Sequence, residues 1–244
     1  MEGPSVHAIA KKLQFLEGQE IEDAGGNAKQ PKEKLKGKKI DDIRAVKKRL
    51  FIETEEFAAV VHFLMFGSYR INERKEDQKE RLYLECTDDR LNLYNCSAKV
   101  LGKKQEEFEK YDRPESDVLS EKFDEKKALK KMLDDDRIIA DVLLDQEVFG
   151  GVGNIIKNEV LYEEGIHPES KASEIPKEKS KEIIGEATGW AKDWLDRRMR
   201  EDEKEFKIYQ KCTCKECGSD IERSKTGEFD RITFACPRCQ RKFL

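Results

Sequence analysis

The stretch LLDQEVFGGVGNIIKNEVLYEEGIHP, residues 143–168, decides how the rest of the chain is read. Apolar residues recur at helical spacing at Ile138, Ile139, Val142 and Leu143, and the pattern breaks at Gly150, Gly151 and Gly153. It resumes at Ile155, Ile156, Val160 and Leu161 and stops at Gly165 and Pro168. The spacing predicts a helix, a glycine turn and a second helix. The glycines let the backbone approach something closely, and Asn154 follows them where a helix presents its unpaired N–H groups, a natural seat for a phosphate oxygen. The plainer alternative is a helical hairpin whose glycines only make the turn.

Downstream, residues 214–239 read CKECGSDIERSKTGEFDRITFACPRC, two C-x2-C pairs separated by 18 residues. Cys214, Cys217, Cys236 and Cys239 would supply four thiolates to one structural Zn(II) per chain, with no position left for a reacting water. Residues 220–224 and 231–235 are expected to form a hairpin that the metal holds together. Cys212 stands in a C-x-C spacing to Cys214 that fits a knuckle less well and is read as a spare thiol. Five of the seven cysteines fall in the last 33 residues, and Cys86 and Cys96 sit alone in expected strands. That clustering points to a metal site in a reducing compartment rather than a disulfide framework.

Upstream, Val6, Ile9, Leu13 and Leu16 share one helical face, with Pro4 in the first turn and Gly18 as a stop. Strand character follows at residues 50–54, 58–66, 82–86 and 91–94, the last two alternating apolar and polar. Residues 102–136 are dominated by charge, with a crossing between domains near Pro114 or, alternatively, one long exposed helix. A further helix carries Ile183, Ile184, Ala187, Trp190, Trp194 and Leu195 at core spacing, which makes the tryptophans core residues.

Charged residues make up 41% of the 244 residues, the formal net charge is -4 and the mean hydropathy is -0.83. No apolar run is long enough to cross a membrane and no apolar signal region opens the chain, so an intracellular protein, cytoplasmic or nucleoid-associated, is expected. A mildly acidic total does not exclude a nucleic-acid partner, because phosphate binding depends on local Lys and Arg.

The glycine hairpin and the cysteine module together closely resemble the formamidopyrimidine-DNA glycosylase and endonuclease VIII family. The resemblance extends to KKRLFIE (residues 47–53) and HFLMFGSYRI (residues 62–71). It implies an α+β multidomain fold: an N-terminal helix plus antiparallel β-sandwich over residues 1–115, a helix-two-turn-helix domain over 116–210, and a C-terminal four-cysteine zinc finger over 211–244. It assigns Asn154 to the DNA backbone at the lesion, Arg231 to the phosphates flanking the damaged nucleoside, Lys48 to the scissile sugar, and Met65 to the space left by the everted base. Family members attack the sugar with the α-amine of an N-terminal proline, followed by a glutamate. An α-amine suits this role because its modest basicity leaves a useful neutral fraction near neutral pH.

Here Met1 stands directly before Glu2, Gly3 and Pro4, so the expected nucleophile is the primary amine of Met1, with Glu2 as the acid. The family's second void-filling loop corresponds to LYNCSAKV, residues 93–100, which offers only Ala98 and Val100. The segment between Trp194 and Tyr209 leaves little room for the loop that covers oxidised purines in the formamidopyrimidine subgroup. The resemblance therefore implies a monomeric DNA glycosylase and AP lyase of base excision repair. It would act on double-stranded DNA carrying a damaged base, oxidised pyrimidines favoured, or an abasic site. The alternative is a non-catalytic binder of abasic, gapped or branched DNA, motivated by the missing proline.

Overall fold

The computed structural model describes residues 1–203 and 205–244. The chain forms two compact units, one of Met1 with residues 5–113 and one of residues 2–4 with 114–244.

Helix α1 (Gly3–Leu13), whose residues from Ser5 onward belong to the first unit, runs into a short 3-10 turn that ends at the buried Leu16. Seven strands follow: β1 (Glu20–Gly25), β2 (Lys38–Lys39), β3 (Asp42–Val46), β4 (Arg49–Glu53), β5 (Phe57–Ile71), β6 (Leu82–Cys86) and β7 (Arg90–Gly102). They make one antiparallel sheet in the order β2-β1-β6-β7-β5-β4-β3. The sandwich expected from sequence thus takes the form of a single curled sheet. Val6, Ile9 and Leu13 of α1 pack with inward residues of the strands, among them Leu50, Ile52, Val61, Leu84 and Leu93, in one core. Strand alternation sends Phe51 to the opposite face, where it meets Phe108 of α2 (Glu106–Tyr111) edge to face at 5.7 Å.

The two long strands exceed the sequence expectation, 15 residues for β5 and 13 for β7. Phe63 pairs with Cys96 and Ser68 with Tyr94, so residues 64–67 are extruded from the ladder. The stretch read as a loop at residues 93–100 lies inside β7, where Ala98 and Val100 are buried, so neither is placed to fill a void in DNA. Backbone pairing with β5, Val61 with Ala98 and Ala59 with Val100, holds these residues in the sheet. Lys48 likewise sits not in a strand but in the two-residue turn joining Val46 to Arg49.

In the second unit, α3 (Glu125–Leu133) is capped by Asp124, whose carboxylate accepts from Lys127 N at 2.9 Å. The charged segment 102–136 therefore holds two short helices, α2 and α3, rather than one long one. Helices α4 (Ile139–Leu144), α5 (Asn154–Glu163) and α6 (Lys177–Arg200) surround a core that includes Ile139, Val142, Phe149, Ile156, Val160, Ile183 and both tryptophans. Trp190 and Trp194 meet edge to face at 5.3 Å. A two-stranded hairpin, β8 (Glu222–Thr226) and β9 (Arg231–Ala235), completes the unit. Among the described residues no helix is long and apolar enough to cross a membrane.

Candidate DNA-binding site and metal centre

Each unit presents its own set of the side chains singled out from sequence. In the second, the turn between α4 and α5 is tight: Gly151 takes φ 93° and its carbonyl accepts from Gly3 N at 2.9 Å. A Cβ on Gly3 would lie 2.7 Å from Gly151 Cα, so that close approach requires glycine. The donors at the start of α5 are not vacant. Glu2 accepts from Gly153 N at 3.1 Å, Ile155 N at 2.7 Å and Ile156 N at 3.3 Å. A carboxylate satisfies the orphan donors of the first turn and complements the helix dipole. The phosphate seat read from the glycine turn is thus filled by the chain's own second residue, and Gly153 leaves the room it needs, since a Cβ there would collide with the Glu2 side chain.

Asn154 turns its amide toward the hairpin, Nδ2 donating to Ile232 O at 2.9 Å, while its Oδ1 is buried with no hydrogen-bond partner among the described residues. Arg231, the residue before Ile232, opens β9 and is exposed. Sequence reasoning missed the seam beneath them. Lys157 and Asn158 are fully buried, Lys157 donating to Thr233 Oγ1 at 2.7 Å and Asn158 accepting from Phe234 N at 2.9 Å. Burial dominates at Lys157 and lowers its pKa to about 8, against the attraction of Asp141 and Glu2. Glu159, also buried, accepts from Lys207 N, Ile208 N and Tyr209 N at 2.7, 3.1 and 2.8 Å.

The sulfurs of Cys214, Cys217, Cys236 and Cys239 all lie within 4.8 Å of one another. The Cys214–Cys239 and Cys217–Cys236 separations are 3.8 and 3.5 Å. A tetrahedron with metal–sulfur bonds of about 2.3 Å has edges of about 3.8 Å, so the cluster fits a tetrahedral metal ion. Cys212 is exposed and outside the group, its carbonyl accepting from Ile221 N at 2.8 Å. The Tyr162 hydroxyl lies 3.1 Å from Cys214 Sγ, tying α5 to the cluster.

In the first unit, the α-amine of Met1 lies 3.5 Å from Leu64 O, to which it donates, and its side chain packs on the strand core. His62, on β5 opposite Arg49, was not singled out from sequence. Burial lowers its pKa to about 4, helped by the positive charges of Arg49, the Met1 α-amine and Lys48. The imidazole is therefore neutral beside three cations. The segment extruded from β5 exposes Leu64, Met65 and Phe66 by 49%, 73% and 76%, so the single residue picked from sequence is the centre of a three-residue apolar projection. The signal was present, because FLMF breaks the alternation expected of a half-buried strand.

A family model described as the formamidopyrimidine-DNA glycosylase N-terminal domain matches residues 1–102, and one described as the H2TH domain of the same glycosylase matches residues 115–198. Endonuclease 8-like 3 of Xenopus laevis is 30% identical over 250 residues, covering 96% of this chain and 40% of that protein. Endonuclease 8-like 2 of Bos taurus is 34% identical over 201 residues, covering 74% and 57%. The chain thus spans about half the length of these relatives or less. The crystal structure of Lactococcus lactis formamidopyrimidine-DNA glycosylase, bound non-covalently to DNA containing an AP site, superposes with a TM-score of 0.84 at 25% identity over 99% of this chain and 100% of the other. The chain belongs to the formamidopyrimidine-DNA glycosylase and endonuclease VIII family.

Proposed function

We propose that the chain is a DNA glycosylase with AP lyase activity that removes oxidised bases, pyrimidines preferred, from double-stranded DNA. The observation that carries this reading is the Glu2 carboxylate fixed on Gly153, Ile155 and Ile156, at the position where the family has its acid. Such anchoring restricts where an acid can sit relative to a bound sugar. The Met1 amine adds to C1′ of the damaged nucleotide, the base leaves, and the resulting imine allows elimination of the 3′ phosphate. Glu2 serves the proton transfers of ring opening, and Lys48 acts beside the scissile sugar. Asn154 and Arg231 bind phosphates, and Met65, with Leu64 and Phe66, fills the stack after eversion. Zn(II) on the four cysteines would be structural, its role being to hold the hairpin that carries Arg231. Pyrimidine preference is supported by the short connection of residues 201–208 between α6 and Tyr209, although position 204 lies outside the described residues.

The test is borohydride trapping with duplexes carrying an abasic site or an oxidised pyrimidine, using protein whose N-terminal mass has been confirmed. The expected result is a covalent adduct mapped to Met1 and lost when the amine is blocked. Tight binding with neither adduct nor released base would assign the chain to recognition of abasic, gapped or branched DNA without chemistry.

A further inference from the structure

Asn154, Lys157 and Asn158 stand at i, i+3 and i+4 on α5, one face of the helix. They engage three consecutive residues of β9: Asn154 Nδ2 donates to Ile232 O at 2.9 Å, Lys157 Nζ to Thr233 Oγ1 at 2.7 Å, and Phe234 N to Asn158 Oδ1 at 2.9 Å. Arg231 is the next residue along the strand. The Thr233 hydroxyl also meets Thr226 Oγ1 at 2.6 Å across the hairpin, so the lysine reaches both strands through one side chain. At the turn, Glu228 N donates to the buried Asp141 of α4 at 2.8 Å. The hairpin is therefore fixed to the helices at points independent of the four cysteines. Removing an ammonium wholly from water is strongly unfavourable, and a hairpin clamped by metal alone would not need one beneath it.

We propose that Lys157 is a positioning residue for DNA: it sets the register of β9 on α5, so that Asn154 and Arg231 meet the phosphate backbone as one unit. The proposal rests on the DNA reading above. Its nearest charges agree with a cationic lysine at neutral pH, with Asp141 and Glu2 favouring the ammonium against burial and Arg231.

The experiment is a double-mutant cycle on binding to a duplex with a reduced abasic-site analogue, using the metal-loaded full chain with Lys157→Met, Arg231→Ala and the pair. Each single variant is expected to weaken binding about tenfold and to lower the slope of log affinity against log salt by about one. The pair should bind within about twofold of Arg231→Ala, because the lysine acts through the arginine. Metal content should be unchanged in all three. If Lys157→Met folds poorly, Thr233→Val removes the same hydrogen bond from the strand side, and Thr233→Ser should restore it. Unaltered affinity in the lysine variant, or losses that multiply in the pair, would overturn the proposal while leaving the DNA reading intact. Unaltered affinity in Arg231→Ala would overturn the proposal by removing the arginine from the site, whereas failure of the parent protein to bind the duplex would overturn the DNA reading itself.

Discussion

Replacing Glu2 by Gln tests whether one side chain is both clamp and catalyst. The carboxylate accepts three backbone N–H bonds at 3.1, 2.7 and 3.3 Å, and the longest contributes least. Hydrogen bonds to a charged acceptor contribute about 1.5–3 kcal/mol each, and a charge at a helix N-terminus about 0.3–1 kcal/mol more. The amide keeps one acceptor oxygen, weakened by loss of charge, and turns its NH2 toward a donor. The expected loss is therefore about 2–4 kcal/mol, carried by the unit that contains residues 2–4 and 114–244. Both tryptophans of the chain, Trp190 and Trp194, are buried in that unit, so their fluorescence in a urea titration reports on it selectively. The midpoint should fall with little change in slope. Imine trapping should fall as well. Stability within about 0.5 kcal/mol of the parent, with trapping abolished, would refute the clamp and leave Glu2 a purely chemical role.

Three further outcomes follow from the same geometry. Burial pushes the thiols of Cys86 and Cys96 up to about 11 and about 12, so iodoacetamide at pH 8 should label exposed Cys212 first in the metal-loaded protein and reach those two only after unfolding, as read by peptide mapping. For His62, the folded state takes its proton only near about 4 while a free imidazole takes one near 6.5. The unfolded state binds more protons between those values, so stability is complete above 6.5 and is lost as pH falls through that window. Allowing for partial exposure the loss is about 2 kcal/mol; His62→Gln should flatten the dependence of the urea midpoint on pH. Replacing Leu64, Met65 and Phe66 together by Ser should leave thermal stability nearly unchanged, because all three are exposed, yet weaken binding to an abasic duplex in a fluorescence titration.

What could be read from the sequence was whatever depends on spacing. The glycine turn, α5, the four cysteines and the core register of the tryptophans all follow from residues near one another in the chain. The Glu2 clamp was hidden because its donors stand about 150 residues away, and no local pattern marks such a pairing. Lys157, Asn158 and Glu159 resemble a solvated helix face, yet they are buried, since the hairpin and residues 207–209 supply the partners that water would otherwise provide. The lengths of β5 and β7 were underestimated for a related reason. Arg70, Asn95 and Lys99 interrupt the apolar alternation, but they lie on outward positions of two strands that pair with each other along most of their length.

The discontinuity of the helical unit bears on how the protein is made. The hydrogen bond from Ile155 to Glu2 closes a separation of 153 residues, and Glu2 leaves the ribosome long before α5 exists to receive it. Capping of that helix is therefore a late, long-range event, slow by the rule that distant contacts delay folding. Whatever is appended ahead of Glu2 must be carried into that closing step.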